Sequence, residues 1–434
     1  MMELNLIDNT EITLPDLTDI RIRRAVRDDF PALFELNVRA FGQEFPDYVR
    51  AVAATLFAPD RVLVVDVRQG PEWVLAGKIE TYSLRLSLPG GNTLPAAGLT
   101  WVAVAPEHRG RGLFTMLLQR HLADLHQQWH EPVGSAGGEA VSILYSKKPT
   151  AYRRFGYGLA TRHLHMRIPP DAVLSEAVHD PALRCREGTA AQLWEPAEQL
   201  YAQLVPSRPG MLVRPGALSA LAVPEAPGTA SDSVIRCLLI DDSQKTRAFA
   251  RYRMETGHNG GSAPGGMTVL ETHAADPAAA LALWRHLLGH GREATVCTLP
   301  MDDPLLHFLA DPRTPQPTIV DGLHLRLVDV GRALAARGYR TGIDLVLDVT
   351  DSTCPWNTGR WRLSGGPTDA ICHRTSAPVD LSLSAADLGA LYLGGTSAEE
   401  LLGAGRVREH RRGAAAVAGI AFSSPVSPWC SFHF

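Results

Sequence analysis

A mixed α/β chain, in which one unit of sheet and helix is repeated and a third α+β layer follows, is the architecture the sequence predicts. Three observations carry it. Residues 99–112 read LTWVAVAPEHRGRG, an apolar strand pattern closed by proline and a Gly/Arg turn, and they run into an amphipathic segment, LFTMLLQRHLADLHQQW. From Leu183 the same order of strands and helices returns in fainter form. After Tyr339, strand and helix patterns mix without a further repeat, as in an α+β layer.

Length and charge narrow the field before any motif is read. At 434 residues the chain exceeds one ordinary core and divides into about two to four domains. A net charge of -4 gives no general attraction to nucleic acid or to an anionic membrane, so any basic site is local and phosphodiester partners are disfavoured. The start, MMELNLIDNTEITLPDL, lacks the basic opening and apolar block of a signal peptide, and no later run is apolar for long enough to span a bilayer. The expectation is a cytoplasmic protein with no membrane partner. Six cysteines (Cys185, Cys237, Cys297, Cys354, Cys372 and Cys430) scatter without a CxxC pair, which argues against zinc ribbons and reads as free thiols, with no metal expected.

Taken in order, residues 22–26 form a short strand, and Asp28-Asp29 stands at the N-cap of a helix carrying Phe30, Leu33, Phe34, Leu36 and Val38. A second helix covers 48–57, and strands at 61–67 and 73–86 meet through the turn Gln69-Gly70-Pro71. Val102-Ala103-Val104 then leads to Pro106, which cannot donate to a ladder and so ends regular pairing. Beyond it, Arg109-Gly110-Arg111-Gly112 lets bare backbone amides approach a pyrophosphate, while the two arginines and the positive end of the next helix add charge. In that helix Leu113, Met116, Leu117, Leu122 and Leu125 make a stripe facing the core. A strand at 140–145 and the run YRRFGYG, beginning at Tyr152, complete the unit.

Pro169-Pro170 marks a boundary. The fainter copy has a helix at 190–204, strands at 234–240, 246–254 and 267–272, a loop at 257–266 and a helix at 277–288. Its strand-to-helix turn, His273-Ala274-Ala275-Asp276-Pro277, has no RGxG and carries an aspartate that repels a pyrophosphate, so the copy reads as structural. Residues 323–339 lead into a third unit with strands at 343–349, 359–363 and 379–383, a helix at 385–391 capped by Ser384, and another from Ser397. Domain limits fall at 1–168, 169–317 and 318–434.

These residues carry a resemblance. Val102-Ala103-Val104 with Pro106, His108 and Arg109-Gly110-Arg111-Gly112 resembles the acyl-CoA loop of the GNAT N-acetyltransferases. More narrowly, AGLTWVAVAPEHRGRG, YRRFGYG, LHLRLVDVGRALAARGY, LYLGG and the terminal FHF, in that order, resemble the enhanced intracellular survival (Eis) family of actinobacterial aminoglycoside acetyltransferases over nearly the whole chain. The resemblance implies tandem GNAT-like domains, the first catalytic and the second degenerate, then a sterol-carrier-protein-like domain, in a hexameric homo-oligomer. It implies acetyl-CoA as co-substrate, held by Val102, Ala103, Val104 and the loop Arg109, Gly110, Arg111 and Gly112, with a strand amide polarising the thioester carbonyl. The acceptor is then an amino group of an aminoglycoside-like or other polyamine small molecule.

Tyr152 aligns with the family's general acid; the pKa of a phenol, near 10, lies above that of a thiol, near 8.5, so the transfer is slightly uphill but spares the expulsion of a bare thiolate. The family's general base is the chain's own terminal carboxylate, here that of Phe434. Its ordinary pKa lies roughly 7 units below that of an ammonium, a gap that burial has to narrow. The apolar run Pro428-Trp429-Cys430-Ser431-Phe432-His433-Phe434 speaks against a frayed end. Two departures stand out. Lys147-Lys148, two of only four lysines, replace the family's Ser-Glu ahead of the tyrosine, and Lys147 is a candidate for CoA phosphates or plain solvated surface. His433 is a substrate-binding candidate at the penultimate position, where the family often has an acid that contacts the cationic substrate; a neutral imidazole weakens attraction for a polyamine, and Glu44 and Asp47 are further candidate carboxylates for an ammonium. His108 reads as packing at the loop edge, and His121, His126 and His130, at metal-like spacing but without acidic or cysteine partners, as a solvated helix face. A second reading of the same motifs is a non-catalytic protein that retains CoA in the loop and an apolar ligand in the third domain.

Overall fold

In the computed structural model, which describes residues 19–127, 138–175, 178–214, 216, 218–219, 235–255 and 265–434, the apolar alternations of the sequence assemble into three sheets. The chain begins with β1 (Ile20–Arg24), α1 (Phe30–Phe41), α2 (Asp47–Leu56), β2 (Val62–Gln69), β3 (Glu72–Ser87), β4 (Thr93–Val104), α3 (Leu113–Gln127), β5 (Val141–Leu144), α4 (Pro149–Arg153) and β6 (Gly158–Leu159). It continues with β7 (Arg162–Ile168), β8 (Arg184–Thr189), α5 (Trp194–Leu204), β9 (Leu212–Val213), β10 (Ile235–Asp241), β11 (Thr246–Met254), β12 (Met267–Ala274), α6 (Pro277–Gly289), β13 (Ala294–Pro300), α7 (Leu305–Phe308), β14 (Thr318–Asp321) and β15 (His324–Leu327). The last part holds α8 (Val330–Ala336), β16 (Ile343–Thr350), β17 (Gly359–Gly365), β18 (Ala370–Arg374), β19 (Leu381–Ser384), α9 (Ala385–Leu391), α10 (Ala398–Gly403), β20 (Val407–Glu409) and α11 (Ala414–Phe422).

The first sheet runs β1-β2-β3-β4-β5-β15-β6, the second β14-β7-β13-β12-β11-β10-β8, and the third β18-β17-β16-β19-β20. Two strands cross over. β7 ends at residue 168, inside the first limit, yet lies in the second sheet between β14 and β13, while β15 follows residue 317 yet lies in the first between β5 and β6. The limits drawn along the sequence therefore do not coincide with the sheets. Alternation identifies a strand's faces, but its pairing partner is set by tertiary packing.

The exchange brings the first and third units into one core, in which Leu84, Leu86, Ile143 and Leu325 share contacts with Tyr392, Phe422 and Phe432. The glycines of YRRFGYG serve this joint. A Cβ on Gly158 would collide with the carbonyl of Ala386, and one on Gly389 with that of Leu325, so α9 rides directly on β6 and β15. Gly156 takes a left-handed φ of 82° where a Cβ would meet the Arg326 guanidinium. Arg326, fully buried, pairs with Asp351 at 2.5 Å and donates to the carbonyl of Phe155.

In the second unit Asp276 caps α6, accepting from the Ala279 amide at 3.0 Å and pairing with Arg247 at 2.6 Å, so that helix start is closed. Asp29 occupies the position before α1, but its carboxylate takes the Val26 amide (2.7 Å) and Arg23 (2.6 Å) and leaves the helix amides alone. Among the described residues no helix is long and apolar enough to cross a membrane.

Candidate active site

The site grows out of a fork between two parallel strands. β4 pairs with β5 only over Ala96–Gly98 against Val141–Ile143, and β4 then continues to Val104 with no strand partner on that edge among the described residues. On its other edge the ladder to β3 slips between the partners of Lys78 and Glu80, leaving a bulge at which Trp101 takes a φ of 46°. A bulge sharpens the twist and re-aims a side chain, and a left-handed tryptophan persists only when its surroundings hold it there. Here Trp101 Nε1 donates to the Tyr82 hydroxyl at 3.0 Å, and its ring meets Phe45 edge-on at 5.3 Å and Phe34 and Phe41 at 6.2 Å each.

Alternation then places the cofactor-loop candidates. Val102 and Val104 pack on the α3 side of the sheet, whereas Ala103 lies under Leu36 and Ala40 of α1. Past Pro106 the loop turns on Gly110 and Gly112, with φ of 75° and 76°, where a side chain would be strained. The Met116 amide bonds the Gly112 carbonyl at 3.1 Å and so opens α3, whose first-turn amides face the loop. The two arginines brace this turn. Arg109 donates to the Ala40 carbonyl in the last turn of α1 at 2.8 Å, and Arg111 lies 3.0 Å from His108 Nδ1. Burial, with Arg111 beside it, pulls the His108 imidazole below its usual pKa, in keeping with packing at the loop edge.

Tyr152 stands in α4 across from that helix start, its ring edge-on to Phe114 at 5.4 Å and to Tyr157 at 6.1 Å. Tyr157 in turn shares a 2.8 Å hydrogen bond with Ser142, whose hydroxyl reaches the Ala97 carbonyl at 3.2 Å, so α4 is tied to the strands of the fork. Burial pushes the Tyr152 phenol up to about 12.

Phe434 sits in the fork itself. Its ring lies on Gly98, where a Cβ would come within 2.9 Å of Cε2, and edge-on to Tyr145, the residue following β5, at 5.6 Å. His433 is exposed, its ring 4.0 Å from that of Tyr145. The approach is pinned by the second unit: Ser427 bonds Asp302 (2.9 Å) and Arg208 (2.6 Å), Trp429 bonds Thr298 (2.8 Å) and the Pro209 carbonyl (2.9 Å), and Ser431 bonds Glu271 (3.3 Å). Glu271 is buried; although desolvation opposes its charge, Arg214, His273 and Arg251 together hold its carboxyl well below the usual range.

The remaining candidates lie at the rim. Lys147 is exposed in the loop between β5 and α4, and Glu44 and Asp47 are exposed on either side of Phe45. Of the helix histidines, His121 is buried against Thr81 and pushed down to about 3 by burial, and His126 stacks on Trp356 at 4.3 Å; a solvated face does not describe them, because α3 is covered on that side. His130 lies outside the described residues.

One buried pair is not singled out by any sequence motif. Lys78 and Glu80 form a 3.0 Å ion pair, with side chains 3% and 5% exposed, on the face of β3 that carries Tyr82 and faces Trp101. Glu80 Oε1 has no hydrogen-bond partner among the described residues. The available signal was GKIETYS, two charges at alternate positions of an apolar strand, where one face must bury both.

A strand fork with a Gly/Arg turn at the helix start beside it is the arrangement of an acyl-CoA-dependent acetyltransferase of the GNAT class. Models of the acetyltransferase (GNAT) domain match residues 21–160 and 210–327, and a model of the sterol carrier protein domain matches 330–431. The chain belongs to the Eis family of N-acetyltransferases. It is 32% identical to N-acetyltransferase Eis of Mycobacterium tuberculosis over 422 residues, 94% of this chain and 98% of that one. It is 38% identical over 423 residues to an uncharacterized N-acetyltransferase of Streptomyces avermitilis, covering 96% and 100% of the two chains. Its fold is similar to that of Eis1 from Mycobacterium abscessus, with a TM-score of 0.79 and 28% identity over 95% of this chain and 100% of the other.

Proposed function

We propose that the protein moves an acetyl group from acetyl-CoA directly to amino groups of an aminoglycoside-like or other polyamine substrate, with Tyr152 as general acid and the Phe434 carboxylate as general base. The observation that carries this reading is the seating of Phe434 over Gly98, where β4 and β5 part, with its approach fastened at five residues of the second unit. In the reaction the carboxylate takes a proton from the substrate ammonium, the amine nitrogen attacks the thioester carbon, and the C–S bond breaks as Tyr152 protonates the departing sulfur; the second proton, shed by the attacking nitrogen, restores the phenol, so the products are the neutral amide and the CoA thiol, with one proton left on the carboxylate. A backbone amide of Val102, Ala103 or Val104 polarises the carbonyl. The turn Arg109, Gly110, Arg111 and Gly112 takes the pyrophosphate through its amides, and Lys147 is exposed to reach a CoA phosphate.

On the acceptor side, the aromatic group around Trp101 and the unpartnered oxygen of Glu80 suit a cationic, hydrogen-bond-donating substrate, and Glu44 and Asp47 add negative charge at the rim. A cytoplasmic hexamer belongs to the same reading. The test is thiol release from acetyl-CoA across a panel of aminoglycosides, small polyamines and lysine peptides. CoA release above hydrolysis with aminoglycosides or polyamines is the expected result; none with any amine would favour a protein that only retains CoA.

A further inference from the structure

Away from the fork, the second unit gathers metal-capable side chains at one corner. His286, in the last turn of α6, and His290, its C-cap, stand four residues apart, so their rings share a face, 5.4 Å between centroids. Cys185 and Glu187 are two apart on β8, the edge strand, and therefore point the same way, towards α6. Glu187, His286 and His290 each offer a ligand atom, and these atoms all lie within 4.8 Å of one another.

The surroundings orient each of the three. Glu187 Oε1 accepts from the Tyr252 hydroxyl at 2.6 Å and from Arg236 at 3.0 Å, which leaves Oε2 facing His286 Nε2 at 3.3 Å. Cys185 Sγ lies 3.2 Å from His286 Nδ1 and can take that nitrogen's proton in a hydrogen bond, keeping the Nε2 lone pair for an ion. His290 Nε2 is buried and has no partner among the described residues. A surface pocket of about 360 Å³, lined in part by Cys185 and His286, opens beside the cluster.

We propose that Glu187, His286 and His290 bind a divalent transition-metal ion, zinc in the first instance, with Cys185, Tyr252 and Arg236 fixing the ligands from outside. Two imidazoles and one carboxylate, with a position left to water, are a donor set suited to zinc. Such an ion would tie the edge strand β8 to α6 and would lie on a different sheet from the acetyl-transfer fork. The inference is independent of the acetyl acceptor's identity.

The full-length protein, stripped of metal and titrated with zinc chloride by calorimetry, is expected to take up one equivalent and to melt at a temperature that climbs with zinc concentration. In H286A, H290A and E187Q the affinity should fall at least about a hundredfold, the upper range for loss of a mere supporting contact, while CoA release at the fork is unchanged. No stoichiometric uptake by the unmodified protein, or equal affinity in the variants, overturns the proposal.

Discussion

Burial lifts the Tyr152 phenol from its ordinary 10 to about 12, and the sign of that shift matters for an acid. The protonated form dominates below the raised value, so Tyr152 holds its proton across the neutral and mildly alkaline range and gives it up only to a developing thiolate. Tyr152→Phe should therefore lower kcat by about 10²- to 10⁴-fold with the KM for acetyl-CoA nearly unchanged, and the pH profile of the unmodified enzyme should show no loss from this group until near pH 12. A rise in the acetyl-CoA KM instead would make the residue structural. Glu80 is the complementary case. Its free oxygen makes Glu80→Gln a sharp substitution, expected to raise the KM for a polyamine roughly tenfold or more with the acetyl-CoA KM held, because a charge-assisted hydrogen bond to substrate is lost, and to lower the melting temperature, because the buried Lys78 loses its counter-charge. Steady-state kinetics with each substrate varied separately decides it. Tyr152 stands out in the sequence because it opens a run of seven residues, YRRFGYG. Glu80 does not, because its meaning depends on Trp101 arriving from the next strand through a bulge that no local pattern announces.

Elements fixed by their own residues match the sequence reading closely. α9 spans Ala385–Leu391 behind a Ser384 that accepts the Asp387 amide, and β11 spans Thr246–Met254, both as their caps and alternation predict. Elements fixed by their neighbours do not. The segment 323–339 reads as a bridge into the third unit, yet its first half is β15, which completes the first sheet by pairing with β5 and β6. The joint depends on missing side chains as much as on present ones, since Gly158 and Gly389 let α9 meet that sheet backbone to backbone. Gly158→Ala places a methyl group against the Ala386 carbonyl and should cost about 3 kcal/mol, read as a lower midpoint in denaturant melts. The alanine at Gly110 makes a useful contrast: nothing lies within 4 Å of its Cβ, so its cost is limited to the left-handed backbone, about 1 kcal/mol.

At the scale of the whole molecule, the last residues connect all three units: they leave the third, are fastened to Asp302, Thr298 and Glu271 of the second, and end in the fork of the first. A chain end ordinarily frays, and what prevents it here is distributed over residues more than a hundred positions away, invisible in the seven-residue tail beyond its apolar character. The fastening also separates two roles that a point substitution at Phe434 would mix. The ring is a wedge against Gly98 and Tyr145, and the carboxylate is the proposed base. Adding one glycine after Phe434 keeps the ring, the pins and the fold, but converts the carboxylate into a neutral peptide group and moves the new terminus about 3.5 Å onward. Turnover with an amine should fall by at least about a hundredfold, while the melting temperature and the KM for acetyl-CoA stay as they were. If the extended enzyme turned over at the full rate, the base would have to be sought elsewhere on the acceptor face, and Glu80, buried on the same face of β3 with an oxygen to spare, would be the first group to test in its place.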